Sequence, residues 1–188
     1  MKKFLLAAVL MLSSMAAFAQ HEVGTFTLQP KVGLNLAKLV GSDINSTKIR
    51  PAFAAGVEGE YQLADIFSLS AGVLYSQQGV KFKGTDASMQ FDYINIPIMA
   101  NVYVVKGLAV KAGVQPGFNV RHKVKEGGVT ADVANVNKFD FTIPVGLSYE
   151  FYNVVIDARY NWGLTKVIKE SKIRNSVFQF TVGYKFEL

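Results

Sequence analysis

Along Val177 to Leu188 the side chains alternate: Phe178, Phe180, Val182, Tyr184, Phe186 and Leu188 fall on one parity, and Gln179, Thr181, Gly183, Lys185 and Glu187 on the other. Successive side chains of an extended chain point to opposite faces, so this alternation predicts a strand with one apolar face and one polar or small face. The same two-face pattern recurs over 26–36, 51–62, 67–78, 90–104, 108–120, 138–150 and 154–164. With 175–188 it predicts eight strands, each long enough for a tilted membrane strand of about 9–11 residues. The connections are long at 37–50, 79–89, 121–137 and 165–174 and short at 63–66, 105–107 and 151–153. Short periplasmic turns and longer external loops distinguish outer-membrane barrels, and an even strand number places both termini on the periplasmic side. The predicted fold class is all-β: an eight-stranded antiparallel up-and-down transmembrane β-barrel. Pro97, Pro116 and Pro144 fall inside strands, where a missing N–H breaks a ladder bond, so bulges or irregular pairing are expected near each.

The apolar parity includes Leu34, Val57, Val73, Ile98, Val110, Val145, Ile156 and Phe180 and holds no formal charge. The opposite parity holds Lys31, Glu58, Glu60, Lys111, Asp140, Glu150, Asp157, Arg159, Lys185 and Glu187, together with eight glycines from Gly33 to Gly183. A soluble lipocalin-like barrel has the same period with an apolar lumen and a wet exterior. The glycines favour the membrane orientation, because a narrow eight-stranded lumen needs small residues and a water-facing surface does not. Aromatic residues also sort by height. Phe26, Tyr61, Phe67, Tyr149, Phe151, Tyr184 and Phe186 lie at one end, and Phe53, Tyr75, Phe118, Phe139, Phe141, Trp162 and Phe178 at the other. Two aromatic girdles around an aliphatic band are expected where rings sit at headgroup level. Phe53, Tyr61, Tyr75, Tyr149, Trp162, Tyr184 and Phe186 are the expected lipid-interface aromatics.

A secretory leader fits this destination. Lys2 and Lys3 precede an uncharged apolar core from Phe4 to Leu12, and Ala17-Phe18-Ala19 is a small-x-small cleavage site. The apolar run is too short for a transmembrane helix. Residues 1–19 are expected to be a signal peptide cleaved before Gln20, and residues 20–188 one barrel domain. Of 20 Lys and Arg against 14 Asp and Glu, two lysines leave with the leader, a small surplus that gives no support for nucleic-acid binding. The absence of cysteine excludes disulfides, thiolate metal sites and cysteine nucleophiles.

Several segments match a known family. Pro51-Ala-Phe-Ala-Ala-Gly-Val-Glu-Gly-Glu-Tyr-Gln-Leu63 and Phe67-Ser-Leu-Ser-Ala-Gly-Val-Leu-Tyr75-Ser-Gln-Gln-Gly79 resemble the PorT-like outer membrane protein beta-barrel domain family. Tyr93-Ile-Asn-Ile-Pro97-Ile98, Ala112-Gly-Val-Gln-Pro-Gly117 and Asp157-Ala-Arg-Tyr-Asn-Trp-Gly-Leu164 resemble its later strands. The resemblance spans nearly the whole mature chain and implies an outer-membrane protein. Its motifs are architectural and carry no assigned chemistry. The chain departs from many such barrels by ending Phe186-Glu187-Leu188 where they end on an aromatic residue.

Five inward charges, Glu58, Glu60, Lys111, Asp157 and Arg159, are the candidate site. They make either an ion or substrate path or, since buried charges persist only when paired, a hydrogen-bonded plug. The plug is the expected form. The two histidines do not support catalysis: His21 lies beside the cleavage point, His122 at a loop edge, and no serine and carboxylate complete a triad. No enzyme activity, cofactor or metal site is expected. A basic patch in the fourth outer loop, Lys166, Lys169, Lys172 and Arg174, would meet anionic glycolipid headgroups or dock an acidic partner. The predicted role is structural or surface-interacting, through the outer loops of a monomer in the outer membrane of a Gram-negative-type bacterium. The expected partners are outer-membrane lipid and the barrel-assembly machinery. The alternatives are a narrow channel for small solutes and a soluble lipocalin-like binder.

Overall fold

A computed structural model describes residues 21–42, 47–82, 84, 86–169 and 171–188. The expected leader and its cleavage site lie outside these residues. No helix occurs among the described residues, which form twelve strands: β1 (Phe26–Val40), β2 (Thr47–Lys48), β3 (Arg50–Ala64), β4 (Phe67–Phe82), β5 (Ser88–Asn95), β6 (Ile98–Val105), β7 (Leu108–Glu126), β8 (Val129–Asp132), β9 (Phe139–Phe151), β10 (Val154–Gly163), β11 (Arg174–Tyr184) and β12 (Phe186–Glu187). Eight staves make the wall, β5 with β6 and β11 with β12 each counting as one. They run in the order β11-β10-β9-β7-β5-β4-β3-β1, all antiparallel, and β1 pairs back onto β11 from Lys31↔Gly183 to Val40↔Arg174. That last ladder leaves no edge, which a sheet in lipid requires.

Burial settles which face is outward. Val57, Val73 and Ile156 are 42%, 55% and 57% exposed, whereas Glu58, Lys111, Asp157 and Arg159 on the opposite parity are all buried. The apolar parity is therefore the outer surface, as expected of a barrel solvated by acyl chains. Several strands run beyond the apolar band on the long-loop side. In particular β7 continues to Glu126, so Arg121, Lys123 and Lys125, expected in a loop, stand on a strand stiffened by pairing with β8.

Two of the expected proline irregularities occur beside gaps in pairing. The fourth stave is broken at Ile96 and Pro97, yet its register against β4 is the same on both sides, and Gly72 N–H reaches Pro97 O across the break. Between β7 and β9 the pairing lapses after Ala112↔Val145 and resumes at Gln115↔Thr142, beside Pro144. A third irregularity, the shift between Asp92 and Tyr93 against β7, lies above Pro116. The β3–β4 ladder stops at Ala54↔Ser76. Above it the Asn35 amide donates to Gln77 O at 2.8 Å and the Arg50 guanidinium to Gln78 O at 2.7 Å, so side chains close the seam in place of backbone.

Most of the inward-parity glycines, expected to make room in a narrow lumen, instead face the backbone of the adjoining strand. A Cβ at Gly33, Gly56, Gly72, Gly113, Gly146 or Gly163 would fall first on a carbonyl oxygen of the adjoining strand (Phe180, Val73, Val57, Ile98, Ala158 and Asn175 respectively), ahead of any lumen side chain. These glycines let bent neighbouring strands approach closely in a tightly curved wall. Only Gly117 and Gly183 meet inward side chains first, those of Asn95 and Gln29.

Candidate functional site

The lumen is filled in tiers, each fixed by strand register. At mid-barrel, Asp157 and Arg159 on β10 stand two residues apart and so share the inward face, with Glu58 on β3 across the lumen. Arg159 Nε and Nη2 donate to the two Asp157 oxygens, each at 2.7 Å. The same Nη2 reaches both Glu58 oxygens, at 3.0 and 2.9 Å. Lys111 on β7 adds bonds to Glu58 at 3.1 Å and Asp157 at 3.2 Å. Lys31 on β1 donates to Glu58 at 2.8 Å, and Ser70 Oγ to the same carboxylate at 3.1 Å. Three cations thus surround two carboxylates with no room between them. Lys31 has the inward parity, but only its place beside Glu58 in three dimensions reveals it as a member.

Glu60 does not join this cluster, nor does it form a dyad with Glu58. It belongs to a second tier toward the short-turn end, accepting from Tyr103 Oη at 2.5 Å and Ser68 Oγ at 2.6 Å. Lys185 Nζ bridges Glu60 at 3.1 Å and Glu150 at 2.8 Å. His21, ahead of β1, closes this mouth: its Nε2 lies 3.0 Å from Glu150 and its Nδ1 3.4 Å from Glu187. A carboxylate lies at each nitrogen, and the hydrogen bond to Glu150 raises the pKa of the ring above the ordinary histidine value. Counted formally, the mid-barrel tier has one surplus positive charge and the second tier, with His21 neutral, one surplus negative charge. The two compensate along the axis.

The outer third departs from the polar lumen that alternation implies. Leu39, Val80, Phe91, Tyr93, Val167 and Ile173 form a buried apolar plug, with Phe82, Met89, Val133, Val136 and Ile168 packed against it. Val167, Ile168 and Ile173 belong to the fourth outer loop, which therefore turns into the mouth, pinned by a bridge from Val136 to Ile168. Lys166, Lys169, Lys172 and Arg174 alternate with those apolar residues and remain exposed. Below the plug, the Asp140 carboxylate accepts from Thr165 Oγ1 and from Asn175 Nδ2, the latter at 2.9 Å. The loop's apolar residues are visible in sequence, but nothing in their spacing says they point inward.

Of the interface aromatics, Phe53, Tyr61, Tyr149, Trp162, Tyr184 and Phe186 are exposed on the outer surface. Tyr75 is half-buried and donates its hydroxyl to Asp92 at 2.8 Å. His122 stands in β7, half-buried, with its Nδ1 2.9 Å from Asn119 Oδ1. It is neither on a loop edge nor beside a nucleophile.

The sequence profile described as "Outer membrane protein beta-barrel domain" matches residues 18–169. The chain belongs to that family. No curated protein matches it in sequence. Among solved structures it is similar to Ail, the attachment invasion locus protein of Yersinia pestis, at 13% identity and a TM-score of 0.56, covering 88% of this chain and 100% of that one. It is similar at the same TM-score to Neisserial surface protein A, at 18% identity over 86% of this chain and 97% of the other. OprG from Pseudomonas aeruginosa follows at a TM-score of 0.50 and 12% identity, covering 90% and 99%. At such identities the likeness is one of fold: an outer-membrane barrel in a lipid bilayer.

Proposed function

We propose that this member of the family is a non-conducting, monomeric barrel whose outer loops form its working surface. The observation that supports this is the filled lumen. Arg159, Lys111 and Lys31 lock Glu58 and Asp157 at mid-barrel, Lys185 and His21 close the short-turn mouth, and the fourth loop seals the other with hydrocarbon. An ion crossing would have to displace charge-assisted hydrogen bonds in two tiers and then pass a dry constriction. The histidines are engaged structurally, which agrees with a role without catalysis. The fourth-loop cations Lys166, Lys169, Lys172 and Arg174, held outward by their inward-packed neighbours, are the charged part of the loop surface and suit anionic headgroups. The aromatic rings anchor the wall at both interfaces after insertion by the barrel-assembly machinery. Planar-bilayer recording of the purified mature protein tests the reading: the expected result is no steady unitary current, and sustained large openings would replace it with a channel.

A further inference from the structure

The structure brings together a set of cations that the sequence scatters over 78 positions, from Lys48 to Lys125. Lys48 on β2 is directly opposite Lys81 on β4, Lys81 is opposite Ser88 on β5, and Ser88 is opposite Lys125 on β7. Partners across an antiparallel ladder share a face, so all four side chains stand in one row. The row faces outward, because Val80, next to Lys81, is wholly buried in the plug and Met89, next to Ser88, packs against it. Like charges directly opposed on a sheet are destabilising unless something lies between them. Among the described residues no carboxylate forms an ion pair with Lys48, Lys81 or Lys125. Of the nearby acids, Asp132 faces Lys123 across the β7–β8 ladder, one row below, Asp92 is held by Tyr75 and Arg121, and the exposed Asp86 and Glu126 form no ion pair with the row. Ser88, in the middle of the row, is buried at 8% exposure, so the three exposed lysines are the accessible part of the row.

Height selects the ligand. Lys81 lies six residues beyond Tyr75 on the same strand, which at about 3.3 Å per residue and a tilt near 40° places it about 15 Å above the aromatic ring. The phosphate of a simple phosphoglyceride stays near the level of the rings. A phosphate that meets this row must be carried higher, on an extended sugar headgroup. The row also faces sideways along the wall, on the side of the ring of strands opposite β10 and β11 and the fourth loop, which suits a lipid neighbour better than a partner descending on the loop tips. We propose that Lys48, Lys81 and Lys125 bind phosphate groups on the sugar headgroup of an outer-leaflet glycolipid. This goes beyond the loop surface proposed above, and it uses different residues.

The test uses the purified mature protein in neutral detergent, titrated with lipopolysaccharide bearing a phosphorylated core, with the same lipid after phosphatase treatment, and with dimyristoylphosphatidylglycerol. Inorganic pyrophosphate serves as a soluble competitor. The protein should favour the phosphorylated glycolipid by about a hundredfold, each surface lysine contributing about fivefold. The triple variant Lys48→Gln/Lys81→Gln/Lys125→Gln should lose that preference, while Lys106→Gln, in a short turn at the other end, keeps it. Unchanged heat-modifiable migration on a detergent gel shows that a variant is folded. Should the triple variant fail to fold, Lys81→Gln alone should reduce the preference about fivefold. Three results would each overturn the proposal: a preference that survives the triple or the single substitution, equal binding of the phosphatidylglycerol, or displacement by pyrophosphate at concentrations comparable with the lipid.

Discussion

Arg159 Nη2 grips both oxygens of Glu58, at 3.0 and 2.9 Å, although the two residues are 101 positions apart and stand on β10 and β3. The contact crosses the lumen, so it ties opposite walls together where the ladders act only between neighbours. Both partners are buried, with Asp157 also held by Arg159 and Lys111, and Glu58 by Lys111 and Lys31.

Removing one member of this cluster should leave uncompensated buried charge. Arg159→Gln is expected to cost about 3–5 kcal/mol, and Glu58→Gln a similar amount by leaving three cations around one carboxylate. Reversible urea unfolding in phospholipid vesicles, followed by Trp162 fluorescence, measures both.

His21 gives a pH dependence with a definite sign. Its pKa is raised in the folded protein by Glu150, so its contribution is fully present below the ordinary value of about 6.5 and is lost as pH climbs through the raised folded value. Wild type should exceed His21→Ala by about 1 kcal/mol at pH 6, and the difference should shrink at pH 9. A gap of equal size at both pH values would assign the histidine a packing role only.

The wall glycines should resist even alanine. In Gly33→Ala and Gly146→Ala the new methyl lands on the backbone oxygen of Phe180 or Ala158, which cannot turn away as a side chain could. Each substitution is expected to destabilise by about 1–3 kcal/mol. Urea midpoints of the two variants against wild type measure this cost.

The apolar plug predicts a phenotype at the outer mouth. Ile173→Ala should cost about 2–5 kcal/mol if the loop cannot collapse onto the space left behind. Limited proteolysis of the variant should cut the fourth loop before the barrel wall.

Trp162 is the only tryptophan and is 56% exposed on the outer surface. Its emission should be blue-shifted in vesicles and quenched by brominated acyl chains, with a depth profile near the outer interface.

Strand number and the short and long connections were legible in the sequence, because each depends on the period of two and on the local chemistry of turns, and the face that meets lipid was legible from the sorting of aromatic rings by height along an uncharged apolar parity. The parity of Asp157 and Arg159 marked them as inward for the same reason. Partnership is a different kind of property. That Glu58 pairs with Arg159 while Glu60, two residues on, pairs with Lys185 depends on barrel closure and on which strands face one another across the lumen. Likewise, tertiary packing alone turned Val167 and Ile173 inward and set Lys48 beside Lys81, since loops have no period and cross-strand neighbours have no fixed separation along the chain.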